Sequence, residues 1–199
     1  MTSFLAHLLS ITFSMFWMIN PSGESQTSLR LKAHEALRYC EQNDMNTEFC
    51  LLVDMSRHSG KNRLFVYQFA NDSILSAGLC SHGCCDGAWG SDQSKEEPKF
   101  NNIPESHCSS LGKYKIGSRG YSNWGININY KLHGLEASNS KAFSRAIVLH
   151  SWDMVGDNET YPSGTPEGWG CPAVSNNQMK FLDGLLKNVE KPVLLWVYQ

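Results

Sequence analysis

From Arg145 to Val174 the chain runs Arg-Ala-Ile-Val-Leu-His-Ser-Trp-Asp-Met-Val-Gly-Asp-Asn-Glu-Thr-Tyr-Pro-Ser-Gly-Thr-Pro-Glu-Gly-Trp-Gly-Cys-Pro-Ala-Val. The run Ala146-Ile147-Val148-Leu149 is continuously apolar, which suits a buried, central β-strand ending at His150. A polar loop with several Gly and Pro residues follows from Val155 to Gly168. The chain then reaches Trp169-Gly170-Cys171-Pro172. Beyond it, Ser175-Asn176-Asn177-Gln178 has the pattern of a capping box, and Met179, Leu182, Leu185 and Leu186 continue at helical spacing. A strand, a long loop, a Gly-Cys turn and a helix are expected in that order.

Upstream, strand signals dominate. Phe49–Asp54 and Leu64–Phe69 flank the turn Ser59-Gly60-Lys61-Asn62 and read as a hairpin. Ile74 to Cys80 reads as a third strand and Lys113–Ile116 as a short one. Ile126, Ile128, Tyr130 and Leu132 alternate with polar residues, the mark of a strand buried on one face. Pro192 introduces a last strand, Val193–Tyr198. Residues 83–108 form a loop longer than a structural connection needs. Near the start, Leu29, Ala33, Ala36, Leu37 and Cys40 predict a short amphipathic helix over about 29–42, after a polar linker at 20–27. The whole reads as one mainly β domain over 49–199 with helices at its margins.

Composition bounds the function classes. Hydrophobic residues make up 41% of the 199, enough for a proper core, and 18% charged residues is too few for a disordered chain. A net charge of −2 gives no electrostatic reason to expect nucleic acid or an anionic membrane surface as partner. Residues 1–19 are mostly apolar, and Asn20-Pro21-Ser22-Gly23 breaks the run. With a small-x-small site at Gly23-Glu24-Ser25, residues 1–25 resemble a secretory signal peptide, which implies an exported protein of the cell envelope or exterior. An uncleaved N-terminal anchor, the only membrane attachment expected, or a misplaced start codon is the alternative. Seven cysteines allow disulfides after export and leave at least one thiol unpaired within the chain.

A thiol nucleophile requires a base, a group that orients the base, and N–H donors for the oxyanion. Cys171 is the candidate nucleophile and His150, held at a strand end, the candidate base. The backbone carbonyl of Ser151 is placed to accept from one imidazole nitrogen and fix the tautomer. Gly170 lets the backbone approach a bound carbonyl closely, and the N–H groups of Gly170 and Cys171 are the candidate oxyanion donors. A buried structural thiol and a satisfied core histidine are the plain alternatives.

His150, seventeen intervening residues and Gly168-Trp169-Gly170-Cys171 resemble the signature of the L,D-transpeptidases, a His followed at such a distance by Ser/Thr-His-Gly-Cys. Leu51–Phe69 resembles that family's opening hairpin, and Ser109-Ser110-Leu111-Gly112-Lys113-Tyr114 its Thr-Pro-x-Gly-x-Phe turn. Trp-Gly-Cys-Pro-Ala-Val at 169–174 and Ser81-His82-Gly83 are similar to one branch of the family. Gly168 and Trp169 depart from the signature's Ser/Thr and second His, and Pro172-Ala173 from its hydrophobic-Asn pair, so a polar wall of the site is missing. The resemblance spans about 49–190. It implies an L,D-transpeptidase-like β-sandwich or barrel with a helix after the Cys, acting on peptidoglycan stem peptides through a thioester and without a cofactor. It further implies that His82, Ser109, Ser110, Tyr114 and Trp169, with Asn101 and Asn102, contact substrate. An amine acceptor would make a cross-link; water would make the enzyme an L,D-carboxypeptidase.

Several other readings compete with this one. Ser81-His82-Gly83-Cys84 spells the family tetrapeptide, but no His precedes Cys84 at the required spacing, so Cys171 is preferred. Cys80, Cys84, Cys85 and Cys108 with His82 and His107 invite a zinc site. Their spacing matches no common zinc knuckle, so disulfides or buried thiols are expected and no metal. The departures at 168, 169 and 172 also fit a catalytically inactive peptidoglycan-binding protein, and the cysteine cluster fits a disulfide-stapled structural envelope protein. Chain order speaks against a papain-like protease, whose nucleophile precedes its His.

Overall fold

A computed structural model describes residues 21–199, with side chains from residue 27. The expected signal segment therefore lies, up to residue 20, outside the described residues. Among the described residues no helix is long and apolar enough to cross a membrane. The chain forms α1 (Pro21–Gln42), β1 (Phe49–Asp54), β2 (Leu64–Gln68), β3 (Ser73–Gly78), β4 (Gly112–Tyr121), β5 (Ile128–Gly134), β6 (Val148–Ser151), β7 (Ala173–Val174), α2 (Asn176–Leu186) and β8 (Leu194–Tyr198). The strands make one sheet in the order β3-β2-β1-β8-β4-β5-β6-β7. Its two edges curl toward each other: Ser81 N–H, just past β3, donates to the Ala173 carbonyl of β7 at 2.8 Å, and Gly83 bridges Gly168. The result is a mainly β, nearly closed barrel or sandwich with two helices, as the sequence leads one to expect.

Both faces of β1 are covered, which explains its unbroken apolar sequence. Phe49, Leu51 and Val53 point into the main core with Leu64, Val66, Tyr114, Leu132, Leu149 and Leu195, while Cys50 and Leu52 face α1. Ala33 and Ala36 on α1 let that helix lie close over Leu52, Phe65, Tyr67 and Leu194. α2 closes the barrel interior with Met179, Leu182 and Leu186. Its N-terminus is held as expected, with the Ser175 hydroxyl accepting the Gln178 N–H at 3.1 Å. The Gln178 side chain, however, does not complete a capping box. Its Oε1 accepts from the Ser76 hydroxyl across the barrel gap.

Four local expectations change. The polar linker at 20–27 is helical from Pro21, because a proline costs nothing at the first helical position, where no N–H bond is due. β4 runs on to Tyr121 past an irregularity between Ile116 and Arg119, where Ser118 and Arg119 face solvent and break the apolar pattern. β6 begins at Val148 rather than Arg145, since Ala146 sits at φ +55 and takes the chain out of strand geometry. It is also next to the sheet edge rather than central, because the two-residue β7, which carries no pattern of its own, pairs outside it.

Met179 is fully buried at the centre of the α2 contact. Met179→Ala is expected to lower the unfolding free energy by about 2–5 kcal/mol, read as a reduced urea midpoint at unchanged slope.

Candidate active site

β6 and β7 run parallel with His150 opposite Ala173 and Ser151 opposite Val174. Parallel neighbours cannot be joined by a tight turn, so the loop between His150 and Cys171 is the crossover this pairing demands. It is pinned at the barrel end by Thr160 N–H to the Gly60 carbonyl at 2.8 Å and Thr165 N–H to the Ser59 hydroxyl at 3.1 Å. The pairing leaves Cys171 beside Val148, whose N–H approaches Sγ at 3.4 Å; the thiol in turn faces the Ala146 carbonyl at 4.0 Å. Cys171 is a free, half-buried thiol. With His150 it lines a cleft of about 80 Å³, together with Ser81, Gly168 and the indoles of Trp89, Trp124, Trp152 and Trp169.

His150 is buried, with Nδ1 at 2.8 Å from the Ser151 carbonyl. A carbonyl can only accept, so Nδ1 carries the proton and Nε2 is left as the basic nitrogen. Burial holds the imidazole below its ordinary pKa, with the Ser151 carbonyl acting in the opposite sense. Burial likewise pushes the Cys171 thiol up, opposed by the Val148 N–H, Arg145 and Lys131. The resting pair is therefore a thiol and a neutral imidazole, suited to proton removal during attack rather than to a standing ion pair. No hydrogen bond within the described residues uses the backbone N–H of Gly170 or Cys171.

The structure gives a further reason for glycine at position 170. It sits at φ +96, and a Cβ there would stand 2.5 Å from the Cys108 carbonyl oxygen, so the close approach is to the protein's own backbone. Ser109, Ser110 and Tyr114 are also buried behind the turn rather than set in the cleft wall. The Ser109 hydroxyl donates to the Gly170 carbonyl at 3.1 Å and accepts the Gly83 N–H at 3.0 Å. That of Ser110 donates to the Asn101 carbonyl at 2.7 Å, and the Tyr114 hydroxyl donates to the Ser110 carbonyl at 2.7 Å. These three residues shape the back of the site.

His82 has no surface to offer a substrate. It is fully buried, with Nδ1 taking a hydrogen bond from Arg63 at 2.8 Å and Nε2 donating to the Ser94 hydroxyl at 2.8 Å. Desolvation, with the Arg63 cation second, pushes its pKa down to about 3. Cys84 is buried too, in a separate hollow beside Glu167, and burial pushes its thiol up. Its neighbour Cys85 is bridged to Cys108 across the long loop. Among the described residues no three His, Cys, Asp or Glu side chains are grouped to hold a metal ion.

Trp169, 59% exposed, stacks on His107 at 5.5 Å and packs on Trp89 at 6.4 Å. Trp89 also meets Trp152 at 5.1 Å and Trp124 at 6.1 Å, so four indoles form one contiguous wall. Trp89, Trp124, Trp152 and Ser81 are not among the site residues expected from the sequence, because they come from separate segments that only the closed sheet brings to one end. Six tryptophans in 199 residues is the one sequence signal that pointed this way, since four of them stand here.

The chain matches the L,D-transpeptidase catalytic domain model over residues 22–198, α1 included. It belongs to that family. A comparison with curated proteins finds no match. Among solved structures, the L,D-transpeptidase (residues 123–326) of Xylanimonas cellulosilytica DSM 15894 is similar at 12% identity and a TM-score of 0.44, over 75% of this chain and 60% of that one. The helical cell shape determining protein Pgp2 of Campylobacter jejuni is similar at 13% identity and a TM-score of 0.46, over 76% of this chain and 48% of that one. The chain thus spans about half to three-fifths of the length of these structures.

The buried neutral histidines couple folding to pH. Both have lowered folded pKa values, so between those values and about 6.5 the unfolded chain binds more protons and stability falls as pH drops. The unfolding free energy is expected to decline below about pH 6.5 by up to about 1.4 kcal/mol per pH unit for each histidine. His82→Gln, which keeps an acceptor for Arg63 but does not titrate, is expected to remove His82's share of that slope in urea melts from pH 7 to 4.5.

Proposed function

We propose that the protein is an exported cysteine acyltransferase acting on peptidoglycan stem peptides. The observation that carries this reading is a free thiol, Cys171, and a tautomer-fixed imidazole, His150, lining the same cleft. His150 Nε2 removes the thiol proton as Sγ attacks the carbonyl of the L-centre of a diamino acid joined to D-alanine. The N–H groups of Gly170 and Cys171 receive the oxyanion. The intermediate collapses with cleavage of the C–N bond, and His150 returns its proton to the leaving D-alanine amine. The thioester is then attacked by a side-chain amine of a second stem, which gives up a proton to His150 as the thiol is released.

The indole wall supports an amine acceptor over water. Four packed aromatic rings next to the thioester limit its hydration, and Trp169, the most exposed of them, bounds the opening beside Cys171. Envelope localisation follows from the substrate and accords with the apolar residues 1–19.

Muropeptides incubated with the purified protein are expected to lose D-alanine and form dimers, both abolished by Cys171→Ala and by His150→Ala, with mass spectrometry as the readout. Binding without conversion by the unmodified protein would identify an inactive peptidoglycan-binding domain instead. Trp169→Ala is expected to shift product severalfold from dimer toward hydrolysed stem.

A further inference from the structure

Burial works against a thiolate at Cys171, and the neutral His150 supplies no positive charge until it has taken the proton. Something else must receive the negative charge on sulfur. Arg145 lies behind the Cys171 turn, its Nη2 3.4 Å from where a Cβ on Gly170 would stand. The guanidinium is half-buried, and each of its four side-chain hydrogen bonds ends on an uncharged acceptor. Nη1 donates to the Asn101 carbonyl at 3.0 Å and the Ser110 hydroxyl at 2.8 Å; Nη2 donates to the Cys108 carbonyl at 2.7 Å and the Ser106 hydroxyl at 3.4 Å. An arginine fixed in this way keeps its full charge directed at its surroundings, since no carboxylate is bonded to it. The cation thus stands against the turn that carries Cys171, and the Val148 N–H, 3.4 Å from Sγ, aims a positive dipole at the sulfur itself.

We propose that Arg145 is a positioning residue which, with the Val148 N–H, forms an anion site for the Cys171 thiolate, so that charge on sulfur is stabilised by a fixed guanidinium and one amide. This rests on reading Cys171 as the nucleophile. The other charges facing the site are few. Lys131, on β5 opposite Val148, adds a weaker favourable field, Tyr114 stays a neutral phenol with its pKa pushed up to about 12, and Glu105 touches the site only through Arg145. Arg145 is also held by the loop that the Cys85–Cys108 bridge ties down, because Cys108 supplies one of its acceptors. The site is thus a rigid cation placed by four neutral groups. Its place in the reaction is to lower the cost of removing the thiol proton at the moment His150 takes it.

The test is the pH dependence of iodoacetamide alkylation at Cys171, followed by mass spectrometry of its peptide so that the buried thiols do not interfere. Arg145→Gln keeps hydrogen-bond donors for Cys108 and Asn101 but removes the charge; Arg145→Lys keeps the charge but loses the fork. Arg145→Gln is expected to move the titration midpoint up and slow alkylation at pH 7.5 about tenfold, as loss of a cation packed against the Cys171 turn requires. Arg145→Lys is expected to stay within about threefold of the unmodified protein. An unchanged midpoint in folded Arg145→Gln, or equal losses in both variants, overturns the proposal. If Arg145→Gln does not fold, Arg145→Lys decides: a midpoint raised by a full unit despite its retained charge overturns it, and one held near the original supports it. The readout needs no muropeptide turnover, so a failure here is separate from a failure of the proposed reaction.

Discussion

The parallel register between Val148–Ser151 and Ala173–Val174 is the constraint from which the site follows. It is only two residue pairs long, yet it fixes three things at once. It sets Cys171 beside Val148, it sets His150 two residues further along the same strand, and it obliges the chain between them to cross the barrel end. That crossover carries Trp152 and Trp169 to the cleft. Such a short pairing at a sheet edge is weak by itself. It is held because Ser81 donates to Ala173 from the opposite edge and α2 packs Met179 and Leu182 beneath it.

Behind the cleft the protein invests in buried polar groups. Arg63 is fully buried and donates to the Cys80 carbonyl and to His82, and His82 passes on a hydrogen bond to Ser94. Glu167, also buried, takes the Ser94 N–H at 2.6 Å. Each member is satisfied by the next, which is the condition under which buried polar networks hold geometry rather than lose stability. The network anchors the long loop of residues 83–108 under the segment that leads into Cys171. Trp89, on that loop, can therefore stand 45% exposed and still keep its place.

Much of this was legible in the sequence. The β1–β2 hairpin, β5 and the helix after Ser175 follow from periodicity and capping, and the spacing of His150 to Cys171 drew its meaning from a family resemblance. What escaped reading depends on tertiary closure. β7 is too short for any periodic signal, and the start of β6 turns on the backbone of Ala146, a residue with no sequence mark of positive φ. Ser109, Ser110, Tyr114 and His82 sit in the right segments but point to the protein's own carbonyls and hydroxyls. A motif locates a segment in a fold; the direction of each side chain is set by what covers it. Trp89 and Trp124 show the converse, since nothing local distinguishes them from surface tryptophans until the sheet has closed.

The chemistry of the cleft turns on a conflict between dryness and charge. In the proposed reaction a thioester lasts longer where water is scarce, which favours burial and an indole lining, but the same burial raises the thiol and lowers the imidazole. Moving either group outward would ease ionisation and admit water. A fixed backbone partner for each group resolves this without opening the site. The Ser151 carbonyl holds the imidazole in one tautomer and the Val148 N–H meets the sulfur. Neither partner titrates, so both act at any pH at which the fold is intact. Preorganised dipoles of this kind gain in strength as water is excluded, so the lining that hinders ionisation also sharpens the groups that compensate for it.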